Sequence, residues 1–125
     1  MNTIKPTEHE LAETVYVFEY CSQFLKKEES LARYLNFIEF KVKNNGKGAR
    51  NLLERTINNH SVEEIKQARD IIDEGMLILG LKLRERVLNE APDLIIRCAK
   101  CGGVLRTPNA RQCRWCGDNW HDLSE

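Results

Sequence analysis

The chain has 125 residues, with 19 basic and 19 acidic side chains and a formal net charge of zero. That length suits one domain, or a small domain with an appendage, and excludes a barrel enzyme of about 200 residues or more. At 42% hydrophobic the composition is that of a folded chain, and the neutral balance argues against a polyanion binder that uses its whole surface.

Glu8, Glu10 and Glu13 follow Lys5 where a secretory signal would need an apolar segment. The longest strongly apolar run, residues 76–81, stops at Lys82, far short of the roughly 20 residues of a membrane span. A soluble, cytoplasmic protein without membrane contact is expected.

In chain order, Thr7 and Glu10 form a Thr-x-x-Glu capping box after Pro6, so a first helix is predicted from there. Leu11, Val15, Phe18 and Leu25 mark its apolar face, widened by Val17, Cys21 and Phe24. Leu31, Tyr34, Leu35, Ile38 and Val42 continue at helical spacing. No breaker lies between Phe24 and Leu31, so residues 7–43 read either as one bent helix or as two, parted near residues 28–30. Asn44, Asn45 and Gly46 stop the pattern. Ala49, Leu52, Leu53 and Ile57 predict a third helix, ending near Asn58 and Asn59. Ser61 and Glu64 form a second capping box. The helix it opens is predicted to run to about Glu90 along Ile65, Ala68, Ile72, Met76, Leu79, Leu83 and Val87. Gly75 and Gly80 mark a bend or a close approach within it. The four large apolar residues 76–79 place that stretch, Ile78 included, at the centre of a bundle or at a subunit interface. No internal repeat is visible.

Pro92 is the expected joint between two regions, because a residue before proline is biased away from helix. Residues 1–92 are read as an α-helical bundle and residues 93–125 as a separate module. The module holds Cys98 and Cys101 followed by Gly102, then Cys113 and Cys116 followed by Gly117, with eleven residues between the pairs. Two cysteines spaced in this way turn both sulfurs toward one point, and two such turns give tetrahedral sulfur coordination. The glycine after each pair lets the backbone turn tightly and aim amide hydrogens at the thiolates. Cys98, Cys101, Cys113 and Cys116 are therefore the expected ligands of one structural Zn2+, with iron left open because it accepts the same ligands. Cysteines kept for a metal suit a reducing compartment.

Cys98, Cys101, Gly102, Cys113, Cys116 and Gly117 resemble the zinc-ribbon group of metal-bound modules. The resemblance covers about the last thirty residues and implies short β-hairpins. Residues 94–96, 104–106 and 111–112 are the candidate strands, with residues 107–110 as the connecting turn. A treble-clef finger is similar but needs a helix after the second pair, and only nine residues follow Cys116. The expected fold class is thus mainly α, a helical bundle with a small C-terminal β zinc ribbon.

Cys21 reads as a buried small hydrophobe, His9 as a helix-start residue, His60 as a surface turn residue and His121 as an exposed tail histidine. There is no His-Glu-x-x-His, no Gly-rich phosphate loop and no Gly-x-Ser-x-Gly, so no enzyme is expected. Between Arg97 and Cys116 the chain carries Lys100, Arg106, Arg111 and Arg114 and no acid. Arg106, Arg111, Arg114 and Trp120 are the candidate partner-binding residues, since arginine and tryptophan are favoured interface anchors. The expected function is that of a small non-enzymatic zinc-binding interaction protein, an adaptor, regulator or inhibitor of a protein partner. The alternative is a nucleic-acid-binding or transcription-associated regulator. Homo-oligomerisation is left open.

Overall fold

The computed structural model describes residues 5–120; His121 lies outside them. The described chain is mainly helical. Its five α-helices are α1 (Glu8–Tyr20), α2 (Lys27–Lys43), α3 (Ala49–Asn58), α4 (Val62–Glu74) and α5 (Met76–Glu90), with 3-10 turns at Ser22–Phe24 and Pro92–Leu94. No helix among the described residues is long and apolar enough to cross a membrane.

Both capping boxes form. Thr7 and Glu10 exchange hydrogen bonds at the start of α1, and Ser61 and Glu64 do so at the start of α4, satisfying amides that a helix start leaves open. Residues 7–43 are two helices. The break falls earlier than residues 28–30: α1 is closed by the Cys21 amide bonding to the Val17 carbonyl, and the Glu29 carboxylate takes the Lys26 amide at the start of α2. The stop after α2 is where the sequence places it, with Asn45 at a positive φ of 58°.

The single long helix expected from Ser61 to Glu90 is instead two helices. Gly75 adopts φ 115° and ψ 143°, far from helical values and open only to a residue without a Cβ. Its amide closes α4 on Ile71, and its carbonyl receives the Leu79 amide at the start of α5. The apolar run 76–79 is not uniformly buried. Leu79 is buried, Leu77 is 40% exposed, and Met76 and Ile78 are half-buried. The fully covered line on α5 is Leu79, Leu83 and Val87.

The chain forms two compact units. One is Leu25–Leu79; the other gathers the chain before and after it. In the first unit α2 packs on α3 and α4. Leu31, Ala32, Leu35 and Ala68 form its core, with Leu53, Ile65, Ile71 and Ile72 packed around them. In the second unit α1 approaches α5 closely: a Cβ on Gly80 would lie 2.3 Å from Thr14 Cγ2 and 2.6 Å from a Phe18 ring carbon. The stripe α1 buries is Ala12, Glu13, Thr14, Tyr16 and Val17. Leu11 and Val15, expected on the core face, are 41% and 64% exposed. A carboxylate and a hydroxyl take the inward positions because partners wait there. Glu13 meets Arg84 of α5, and the Thr14 hydroxyl bonds back to the Glu10 carbonyl.

No β-ladder forms among the described residues. The expected strand at 94–96 begins inside a 3-10 turn, and the other two contribute only single bridges, Arg97 with Val104 and Gln112 with Asn119. The turn at 107–110 is present, closed by the Ala110 amide on the Thr107 carbonyl.

Candidate metal centre

The four cysteines converge. Their sulfur atoms all lie within 4.8 Å of one another, with Cys98 to Cys116 at 3.8 Å and Cys101 to Cys113 at 3.5 Å. Sulfurs about 2.3 Å from a tetrahedral metal stand roughly 3.8 Å apart. The cluster therefore fits a four-thiolate site and can hold a metal ion. Cys98 and Cys113 are buried while Cys101 and Cys116 are exposed, so one edge of the site faces solvent.

Both turns are built alike. Cys98 N bonds to Gly103 O, Gly102 N to Cys98 O and Leu105 N to Ile96 O. Fifteen residues later, Cys113 N bonds to Asp118 O, Gly117 N to Cys113 O and Trp120 N to Arg111 O. The two bridges obey the same shift. The module is thus a structural repeat, which the sequence hides because only the cysteines and one glycine coincide in it. Gly102 and Gly117 take the same left-handed conformation, φ 79° and 78°, which explains a glycine after each pair. The amides of Lys100, Gly103 and Trp115 point at the sulfurs of Cys98, Cys101 and Cys113 from 3.3 to 3.5 Å. Such donors stabilise thiolate charge.

As free thiols Cys113 and Cys101 are strongly unequal. Burial works against ionising Cys113, but the amides of Cys116 and Trp115 and the neighbouring thiols lower it to about 7. At Cys101 the Gly103 amide works downward, while burial and the neighbouring sulfurs push it up to about 12. Packed sulfurs that resist collective ionisation are what a cation relieves.

Trp115 is the structural pivot beside the site. Its indole lies on Gly103, where a Cβ would come within 2.3 Å of the ring, and its Nε1 donates to the Val104 carbonyl at 2.9 Å. His9 of α1 stacks on it with ring centroids 3.9 Å apart. The sequence placed His9 only at a helix start; no spacing rule links positions 9 and 115. Two further ties join α1 to the module. The Tyr16 hydroxyl donates to Leu94 O and accepts from Ile96 N. Glu13 takes hydrogen bonds of 2.6 Å from both Arg84 and Arg97.

Of the four candidate partner-binding residues, three come together. Arg106, Arg111 and Arg114 line one open hollow of about 520 Å³ next to Cys113 and Gly117, with no acidic residue in its wall. Trp120 does not join them. It packs against the cluster of Cys98, Leu105 and Cys113, and its Nε1 donates to the Ala110 carbonyl at 3.1 Å. Cys21 is fully buried, and burial pushes its thiol up, as suits an inert core residue. His60 Nδ1 donates to the Thr56 carbonyl at 2.8 Å, at the end of α3.

No protein-family model matches the chain, and no curated protein or solved structure matches it either.

Proposed function

We propose that this chain is a small non-enzymatic zinc protein of reducing, cytoplasmic surroundings that works by binding a protein partner. Zinc is the metal that four converging thiolates with amide donors suit best. The duplicated turn with its pair of bridges supports reading residues 93–125 as a minimal zinc ribbon. The observation that carries the functional reading is the convergence of Arg106, Arg111 and Arg114 on one hollow beside a metal-held turn. Guanidinium groups fixed on a rigid module are pre-organised for carboxylates on a partner. Trp120 serves this surface indirectly, by bonding to the carbonyl of Ala110, which lines the hollow.

A second reading has one specific support. The Arg114 guanidinium sits 4.8 Å over the Trp115 ring, and an arginine on an aromatic beside a basic hollow also suits a nucleic-acid strand.

The test is affinity capture from the cell of origin with the wild-type chain and an R106A/R111A/R114A variant, after zinc content is shown equal. One stoichiometric protein, lost with the triple variant, supports the proposal. Equal capture by both chains overturns it. A salt-sensitive nucleic-acid shift whose log–log slope falls by about one unit per arginine removed moves the assignment to the second reading.

A further inference from the structure

The two cysteine turns present a similar groove twice. Ile96, Arg97 and Ala99 of the first turn line a hollow of about 400 Å³, together with Leu105, Pro108 and Trp120. Their counterparts fifteen residues later, Arg111, Gln112 and Arg114, line the cationic hollow of about 520 Å³. Ala110 belongs to the wall of both, so the hollows adjoin. The backbone repeats and the side chains do not: Ala99 leaves the first groove apolar where Arg114 charges the second. In the first hollow Leu105 is buried, Ile96 and Trp120 are half-buried, and Ala99 and Pro108 are exposed. The Trp120 indole is held by its bond to the Ala110 carbonyl, so this wall is formed before anything binds. Of the charges that line it, Arg97 is committed to Glu13 at 2.6 Å, while Asp118 adds an acid.

We propose that the two hollows are one docking site for a short extended segment of a partner protein, in which a large apolar residue lies next to acidic residues. The proposal rests on the reading of the arginine hollow as a protein-binding surface and names the segment that surface takes. The apolar side chain enters beside Leu105 and Trp120, and the carboxylates meet Arg106 and Arg114 past the shared Ala110 wall. Burying that side chain supplies affinity in rough proportion to its area, and the charge-assisted bonds fix its direction. The Arg114 guanidinium lies 4.8 Å over the Trp115 ring, a contact compatible with N–H donation to a carboxylate. Charge also decides against a nucleic-acid strand spanning both hollows. Such a strand carries a phosphate at every nucleotide and would run from the arginines onto an apolar wall that holds Asp118. A peptide changes from acidic to apolar within one residue.

Selection from a phage-displayed library of random twelve-residue peptides, on the immobilised full chain with its metal retained, tests this. Enriched peptides are expected to carry Leu, Ile, Met or Phe within three positions of at least two acidic residues. Fluorescence anisotropy then compares one such peptide on the wild type, on R106A/R114A and on A99Q, with metal content shown equal in all three. A99Q puts a polar side chain into the apolar hollow from an exposed position. Each variant is expected to weaken binding at least about tenfold. Replacing the peptide's apolar residue by Ser is expected to cost about tenfold on the wild type and far less on A99Q, because both changes remove one contact. Acidic peptides that need no apolar residue, weakened by R106A/R114A and untouched by A99Q, overturn the two-hollow site while leaving the arginine surface in place. Peptides that bind both variants as tightly as the wild type overturn the arginine reading as well. No enrichment over the unselected library overturns a short segment as the occupant. A labelled oligothymidylate that binds more tightly than any selected peptide, and is released by R106A/R114A, overturns the proposal in favour of nucleic acid.

Discussion

The Glu13 carboxylate accepts a 2.6 Å hydrogen bond from Arg97, the residue directly before the first cysteine of the metal site. A second, equally short bond comes from Arg84 on α5. One acid in the first helix thus holds the neck of a module more than eighty positions away. Its side chain is only 6% exposed, so the pairing takes place largely out of water. Arg97 also reaches the Gly102 carbonyl at 3.2 Å, inside the first cysteine turn.

Glu13→Gln is expected to lower unfolding free energy by about 2 kcal/mol, because it removes the shortest charged hydrogen bond of the mostly covered Arg84, which keeps the more distant Glu85 and Glu10 at 3.2 and 3.9 Å, and weakens the bond to Arg97. Burial by itself would raise the Glu13 carboxyl, but the hydrogen bonds and charges of Arg97 and Arg84 outweigh it and hold the group below its ordinary 4.5. A depressed folded-state pKa gives stability that is complete above the unfolded pKa and is lost as pH falls through the folded value. The gap between wild type and Glu13→Gln in urea melts is therefore expected to be constant at neutral pH and to close below about pH 4.5. A gap of undiminished size at pH 3 would show that the effect comes from packing.

The metal site is expected to hold one ion per chain. Elemental analysis of protein purified without chelator should find zinc at unit stoichiometry, and Cys113→Ser should abolish it. Much of the far-UV helix signal should survive that change, because the core of Leu31, Ala32, Leu35 and Ala68 takes no part in the module. Metal binding should also release protons, since Cys101 as a free thiol is held up near 12. Calorimetry in buffers of different ionisation enthalpy measures that release, and a buffer-independent heat would contradict it.

Gly80→Ala sets two known effects against each other. Replacing an interior helical glycine by alanine stabilises a helix by about 1 kcal/mol. Here the new methyl would sit 2.3 Å from Thr14 Cγ2, and overpacking of that kind costs about 1–3 kcal/mol. A net fall in melting temperature is expected. A rise would mean that α1 and α5 do not pack as closely as this.

Along α5, position decides what an apolar side chain is worth. Leu83 is fully buried and Leu77 is 40% exposed. Leu83→Ala is expected to cost about 3 kcal/mol and Leu77→Ala under about 1 kcal/mol in denaturant titrations. Equal losses would place Leu77 in a contact that forms in solution.

Features governed by local chemistry could be read from the residues alone. Thr7 with Glu10 and Ser61 with Glu64 mark helix starts because the bonds they make span only three residues. The Asn44 to Gly46 stop and the two Cys-x-x-Cys-Gly turns were legible for the same reason. Each needs its backbone conformation whatever packs around it. Which side of α1 points inward depends on long-range packing. Leu11 and Val15 look like core by pattern, yet Glu13 and Tyr16 take the buried positions because Arg84, Arg97 and the backbone at Leu94 and Ile96 supply partners there. Gly75 was legible as a weak point but not as a full break, since helical pattern and helical φ are separate matters. The stacking of His9 on Trp115 and the gathering of three arginines around one hollow join positions with no periodic relation. Burial and polar satisfaction belong to the assembled chain, and a pattern of apolar spacing carries no record of where a distant charge will come to rest.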